Sequence, residues 1–283
     1  GVQTCALPIL AMKTGELLWS RALYEDYEGD LGYFGAGTSP LVVQDSVLVN
    51  VGGRKAGIVA VSTEDGTTKW KATQEGASYA SPIAYQDAGQ TRVVFVTRLN
   101  AVLLDPRDGR VIQSIDFGKR GPTVNAATPL RFDQRLFLTA SYGIGARMLK
   151  LEKDQLEPIW SNDTSMSSQY ATSVYRSGYL YGIHGREDAD ADLRCVEAST
   201  GKVAWSVNSF GVAHLILAED KLLVLANSGE LTLARATEKK FDVIGKSRVA
   251  SATIRALPAI SNGRVFFRTN DSGESKLYAL AWE

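Results

Sequence analysis

Two histidines, His184 and His214, and two cysteines, Cys5 and Cys195, are all that the chain offers for imidazole or thiol chemistry. Neither histidine has a Cys or His partner at metal-ligand spacing, and two cysteines are too few for a four-cysteine zinc site or a disulfide scaffold. The densest acidic run is Glu187-Asp188-Ala189-Asp190-Ala191-Asp192. Its alternating aspartates suit the start of a calcium loop, which then needs Gly at the sixth position and Glu at the twelfth. Counted from Asp188 those positions hold Leu193 and Ser199, so the run reads as a solvated hairpin loop. A nucleophile elbow (Gly-x-Ser-x-Gly) and a phosphate loop (Gly-x-x-x-x-Gly-Lys-Ser/Thr) are both missing. No catalytic residue and no metal ligand is assigned. Cys195 falls in a predicted strand, where a lone cysteine serves as a small core residue.

The elements that would position such groups come from a repeat. The chain has 283 residues, with 31 basic and 31 acidic side chains. Zero net charge argues against a nucleic-acid binder, which carries a basic surplus. A hydrophobic fraction of 45% with 22% charged residues is that of a folded globular chain. No apolar run reaches the length of a membrane span.

A small residue followed by Pro or an apolar run recurs as Ser39-Pro40-Leu41, Ser81-Pro82-Ile83, Thr128-Pro129-Leu130 and Thr172-Ser173-Val174. Weaker copies are His214-Leu215-Ile216 and Leu257-Pro258-Ala259, and successive anchors lie 42 to 47 residues apart. A second anchor alternates with the first: Thr14-Gly15-Glu16-Leu17-Leu18-Trp19, Asp65-Gly66-Thr67-Thr68-Lys69-Trp70 and Thr200-Gly201-Lys202-Val203-Ala204-Trp205. At Asp108-Gly109-Arg110-Val111-Ile112 the turn is kept and Val111-Ile112 stands for Trp. Trp160 keeps the indole after a degenerate turn at 153–155, and 237–240 has lost both. Four of the five tryptophans thus share one repeat position.

Each unit holds short runs of alternating apolar and polar residues bounded by turns, the signature of strands. In the first full unit these are 39–43, 47–51, 58–62 and 68–71; in the fifth they include 214–218, 222–226 and 230–235. Helical periodicity is nowhere sustained. Four antiparallel strands per unit of about 44 residues predict an all-β fold, a β-propeller whose blades bury their faces against one another. Five complete blades start near residues 37, 79, 126, 170 and 212. A sixth starts near Ala256 and reaches Glu283 after its third strand.

The Ala-x-Thr/Asp-Gly-x-x-x-Trp tail, read at 61–70 and 196–205, resembles the pyrroloquinoline-quinone (PQQ)-like repeat family over about Met12 to Glu283. That family includes quinoprotein alcohol dehydrogenases and the periplasmic lipoprotein scaffold of the outer-membrane barrel assembly machinery. The resemblance implies that Gly15, Gly66, Gly109 and Gly201 turn the chain between third and fourth strands. It also implies that Trp19, Trp70, Trp160 and Trp205 dock between blades. Family rings usually have eight blades. The dehydrogenases resemble one another in an adjacent Cys-Cys pair, a Ca²⁺ site of carboxylates and Asn, and an Asp base. Cys5 and Cys195 do not form such a pair.

Residues 1–11 join no pattern found later and are read as a non-native or unstructured leader, with 12–283 as the propeller domain; a genuine peripheral strand is the alternative. The Gly15–Trp19 element reads as an isolated fourth strand. It either completes the last blade of a six-bladed ring or belongs to a blade whose remainder precedes this chain, and the foreign-looking start favours the second.

In a propeller, the loops entering the innermost strands converge on one mouth. Here they carry Tyr33, Phe34, Tyr79, Asn125, Tyr170, His214 and Arg255, and aromatics and Arg are the types enriched at binding hot spots. Strand capping and packing between blades are the competing uses of these residues. The functional expectation is a non-catalytic, monomeric protein-binding or scaffolding module with no cofactor and no nucleic-acid partner. By resemblance it sits in the periplasm or outside the cell. The alternative is a degenerate or partial quinoprotein dehydrogenase using PQQ and Ca²⁺.

Overall fold

The computed structural model describes residues 7–152, 154–271 and 274–281. The chain forms two compact units: residues up to Pro129 together with Lys150–Glu157, and Leu130–Leu149 together with Pro158 onward.

The first unit opens with strands β1 (Leu7–Leu10) and β2 (Leu17–Arg21), which pair antiparallel, followed by a single helical turn, α1 (Leu23–Asp26). Two four-stranded sheets follow. They are β3 (Leu41–Val43), β4 (Ser46–Asn50), β5 (Ile58–Ser62) and β6 (Thr68–Ala72), then β7 (Ile83–Asp87), β8 (Gln90–Val96), β9 (Asn100–Leu104) and β10 (Val111–Asp116). The second unit holds most of a third sheet, β11 (Leu130–Phe132), β12 (Arg135–Ala140), β13 (Gly145–Glu152) and β14 (Gln155–Asn162). The fourth is β15 (Val174–Arg176), β16 (Tyr179–His184), β17 (Asp192–Glu197) and β18 (Val203–Val207). The fifth is β19 (Ala213–Ala218), β20 (Lys221–Ala226), β21 (Glu230–Arg235) and β22 (Asp242–Arg248). A three-stranded sheet ends the described chain: β23 (Ala259–Ser261), β24 (Arg264–Asp271) and β25 (Glu274–Ala281). Strand order follows chain order in every sheet, as in propeller blades.

Two features differ from the sequence expectation. Leu7–Leu10 is a strand, so the boundary read at Met12 falls inside the β1–β2 hairpin, and β2 is not isolated. Leu7 and Ile9 pack with Trp19 against Leu23, Val47 and Val61, and that burial holds β1 in place. Residues 1–6 lie outside the described residues. The expected single domain over 12–283 is described here as two units.

Second and third strands are near-continuous apolar runs because both their faces are covered: Ser46–Asn50 is buried throughout, and so is Ile58–Val61. Fourth strands alternate, as in Thr68–Ala72, where Trp70 and Ala72 turn inward. Each first hairpin is a two-residue loop whose leading residue has a positive φ, at Gln44, Ala88, Asp133, Ser177, Glu219 and Asn262. Such turns match the right-handed twist of the strands and so fix the register.

The Gly and Trp anchors meet within each unit. Trp19 Nε1 donates to Thr63 O at 3.0 Å and Trp70 Nε1 to Pro106 O at 2.9 Å. In the second unit Trp160 Nε1 donates to Ala198 O and Trp205 Nε1 to Thr237 O, both at 2.9 Å. Every acceptor lies in the third-to-fourth-strand turn of the following sheet. The indoles lie over the turn glycines: a Cβ on Gly66 would sit 2.8 Å from Trp19, one on Gly109 2.4 Å from Trp70, and one on Gly201 3.0 Å from Trp160. Gly15 has the same left-handed φ, +74°, with nothing within 4 Å.

The strand register corrects one assignment. Trp70 faces Ala60 and Trp205 faces Cys195, each just past a bulge; Gln113 faces Leu103 in the same way. Gln113, not Val111-Ile112, therefore holds the tryptophan position of β10. Gly245, facing Leu233 past a bulge, holds it in β22.

Candidate functional site

The seven mouth residues fall into two groups, one in each unit. In the first, Tyr33 and Phe34 sit on the loop 31–37 at 92% and 62% exposure. Their rings meet edge to face at 4.8 Å, and Phe34 meets Tyr79 at 5.6 Å. The Phe34 N–H donates to Tyr79 Oη at 3.1 Å. Gly32 and Gly37 let the loop wrap this tyrosine: a Cβ at either would approach it to 2.5 and 2.9 Å. Tyr79 N–H in turn donates to Asn125 O at 2.9 Å. Asn125 is only 2% exposed, and its amide donates to the carbonyls of Thr97, Arg98 and Phe117 at 3.2–3.4 Å. Its place is thus a brace under the loops rather than on the surface.

In the second unit, Tyr170 and His214 have ring centroids 5.7 Å apart. His214 Nε2 lies 2.9 Å from Arg255 O; a carbonyl only accepts, so Nε2 carries the proton. His214 is 4% exposed and its Nδ1 is buried without a partner. Burial lowers the pKa of this imidazole, against the raising effect of the Arg255 carbonyl, and keeps it neutral. Asn227 donates to Tyr170 Oη at 2.7 Å and to Asp188 Oδ1 at 3.2 Å. Burial raises the Tyr170 pKa and keeps the phenol protonated. The Arg255 side chain is exposed.

The acidic run is bound into the fold. Asp188 Oδ1 accepts the Val212 N–H, and Asp192 accepts the Ser209 N–H through Oδ1 and Arg194 through Oδ2. Cys195, in β17, is fully buried, and burial pushes its thiol up to about 12, so it is held as an unreactive core thiol. Among the described residues, no group of three or more His, Cys, Asp or Glu is placed to hold a metal. Among the described residues the donor set that the dehydrogenase resemblance implies does not fit: Cys195 is buried within a strand, without the adjacent cysteine that the resemblance calls for, and Asp188 and Asp192 are spent on backbone N–H groups and arginine.

Sequence reasoning missed Asn227 as the partner of Tyr170, and Asp188 as the partner of Asn227. It also missed Asp163, Tyr142 and Arg186, which line a cavity in the second unit together with His184, a residue weighed above only as a metal ligand. Tyr142 and Asp163 come from separate loops, and His184 and Arg186 from the end of β16 and the residues after it, with no shared motif; His184 as one of two histidines and the acidic run at 187–192 were the signals near them.

The family model described as outer membrane protein assembly factor BamB (PQQ_2) matches residues 7–207. Among solved structures, BamB from Moraxella catarrhalis superposes at a TM-score of 0.71 with 15% identity, covering 94% of this chain and 76% of that one. A europium-containing methanol dehydrogenase superposes at 0.69 with 12% identity, covering 94% of this chain and 70% of its own. The quinohemoprotein alcohol dehydrogenase from Comamonas testosteroni gives 0.68 at 12% identity; 94% of this chain spans 60% of it. No curated protein matches the chain at the sequence level. With its repeated Gly-to-Trp contacts, its four-stranded blades and a family match over most of its length, the chain belongs to the PQQ-like β-propeller family of the outer membrane assembly factor BamB.

Proposed function

We propose that this chain is a non-catalytic, monomeric scaffold of the bacterial envelope that binds a protein partner through the Tyr33–Phe34 loop. The observation that carries the reading is the exposed aromatic pair, seated on Tyr79 by a ring contact and a main-chain hydrogen bond. Beyond their edge contacts with each other and with Tyr79, these rings leave most of their surface in water, at 92% and 62% exposure. Docked into a partner, they supply contact area at low entropic cost. The family match to an assembly factor supports the protein-binding class, and the envelope location follows the same resemblance. No helix among the described residues is long and apolar enough to cross a membrane.

The test places a photo-crosslinking residue at position 34 in the source bacterium's envelope and compares it with one at the buried position 95. A defined adduct at 34 that disappears with Tyr33→Ala supports the reading. No adduct at 34 removes it. The dehydrogenase alternative draws on the fold likeness to the two quinoprotein enzymes. It requires saturable PQQ and Ca²⁺ binding with dye-linked alcohol oxidation, and turnover in that assay would replace the scaffold reading.

A further inference from the structure

A cavity of about 200 Å³ in the second unit is lined by Ser141, Tyr142, Asp163, Ser167, His184 and Arg186. None of these belongs to the mouth residues, and the aromatic loop of the first unit does not use them. The floor is rigid. Gly185 N–H donates to Ser167 O at 2.9 Å, and Ser141 Oγ donates to the same carbonyl at 2.8 Å.

The polarity of the walls follows from their hydrogen bonds. Ser167 N–H donates to His184 Nδ1 at 3.1 Å, so Nδ1 is the acceptor and the ring proton resides on Nε2. Burial, and then the charge of Arg194, lower the His184 pKa and favour this neutral form; Asp192 and Asp163 act the other way. His184 Nε2–H makes no hydrogen bond within the described structure, so the imidazole offers one donor. Asp163 accepts Ser167 Oγ–H through Oδ1 at 2.7 Å, which leaves Oδ2 as an acceptor. The Arg186 guanidinium lies 4.8 Å from the centroid of the Tyr142 ring and also meets Glu187, outside the lining, at 3.1 Å in a solvent-exposed pair, so it stands as the positive charge of the cavity opposite the negative Asp163. Tyr142 is held at φ +66°, a left-handed conformation that costs a non-glycine residue energy, and Gln169 Nε2 donates to its hydroxyl at 2.7 Å. The ring is thus fixed as a wall under Arg186.

One fixed donor and one fixed acceptor, with charges that cancel, match neither an isolated anion nor an isolated cation. A carboxylate would face Asp163, and an ammonium would face Arg186. A group that carries a donor and an acceptor together satisfies both walls, and the volume admits about one residue. We propose that this cavity binds an amide group, with its carbonyl accepting from His184 Nε2–H and its N–H donating to Asp163 Oδ2. The source is either a backbone peptide group or the carboxamide of an Asn or Gln side chain. The inference concerns the chemistry of this pocket alone and stands or falls apart from the aromatic-loop reading.

The chain's two histidines make the test direct. Imidazole NMR signals of the intact 283-residue chain are followed while acetamide, N-methylacetamide, acetate and methylammonium are added in turn. His214, buried in a different sheet, reports on folding. Saturable movement of the His184 signal with an amide, and none with acetate or methylammonium at equal concentration, is expected. Acetamide ahead of N-methylacetamide assigns a side-chain carboxamide, and the reverse order a backbone peptide. Asp163→Asn keeps an acceptor for Ser167 but puts an NH₂ donor where the ligand's N–H would arrive. It should weaken amide binding roughly tenfold, the effect of one hydrogen bond to a charged group, with the His214 signal unmoved. Equal or tighter saturation by acetate or methylammonium overturns the proposal, and so does silence with all four probes.

Discussion

Gln113 takes the place of a tryptophan and bonds both main-chain groups of Leu156: its Oε1 accepts the Leu156 N–H at 2.6 Å and its Nε2 donates to Leu156 O at 3.4 Å. At Trp19, Trp70 and Trp160 an indole lies over a turn glycine. Here the turn that follows has Asp154 at φ +66° in place of glycine, and Arg92 Nε donates to its Oδ1 at 2.6 Å. Residue and turn have changed together. These bonds help to explain why Lys150–Glu157 belongs with the first unit although the rest of its hairpin lies in the second.

Replacing Gln113 with Leu removes both bonds and leaves the Leu156 N–H and C=O without their partner. An orphaned buried polar group costs about 1–3 kcal/mol, so a loss of about 2 kcal/mol is expected in urea unfolding. Gln113→Trp should not rescue it, because Asp154, held by Arg92 through both carboxylate oxygens, fills the place that glycine leaves open under Trp19, Trp70 and Trp160.

Gly109→Ala and Gly15→Ala separate backbone strain from packing. Both positions have φ +74°, but only at Gly109 does a Cβ collide with an indole, at 2.4 Å. The Gly15 variant should lose about 1 kcal/mol and the Gly109 variant about 3 kcal/mol, read from the shift in unfolding midpoint. Equal losses would show that the Trp70 ring yields freely.

Asp105 is buried and contacts three arginines: Arg107 at 2.6 Å, Arg92 at 3.5 Å and Arg110 at 3.9 Å. The Arg107 hydrogen bond is the largest effect and, with the charges of Arg107 and Arg92, outweighs burial and holds the carboxyl at about 2, below its ordinary 3.8. A depressed carboxyl stabilises the fold above the unfolded value and loses that contribution as pH falls through the folded one. Acid titration of stability should therefore steepen between pH 3.8 and about 2. Asp105→Asn should flatten that limb. It should also cost about 2 kcal/mol at neutral pH through the weakened charge-assisted bonds to Arg107, while Arg92 keeps its pair with Asp154.

His214 gives the same sign in a higher window. Burial lowers its folded pKa below the ordinary 6.5, so the unfolded chain takes up a proton first as pH falls. Stability should be full above pH 6.5 and decline below it toward the folded value. His184, also lowered, contributes in the same direction. In His214→Gln the decline between pH 7 and 5 should shrink without vanishing; an unchanged slope would assign it to other groups.

The repeat was legible because blades are local: alternating strands, two-residue turns and a Gly-to-Trp spacing recur along the chain whatever the surroundings. Four tryptophans in one position revealed the fourth strands. The Val111-Ile112 assignment followed the apolar residues rather than the constant four-residue step from Gly to Trp, which from Gly109 lands on Gln113, the position that the strand register shows. Leu7–Leu10 stood only as the alternative to a leader because a four-residue strand carries too little pattern; its burial against Trp19 and Leu23 makes it one.

By itself, then, the amino-acid sequence determined the fold class, the family and the blade boundaries, which rest on short-range pattern. It also brought Tyr33 and Phe34 forward, through residue type and place in the repeat. Tertiary structure alone decided that Asn125 is an internal brace and that Cys195 is buried. Only there do Asp163, His184 and Arg186 share one cavity. Those properties depend on which loops fold over one another, and loops carry no periodicity from which their neighbours can be read.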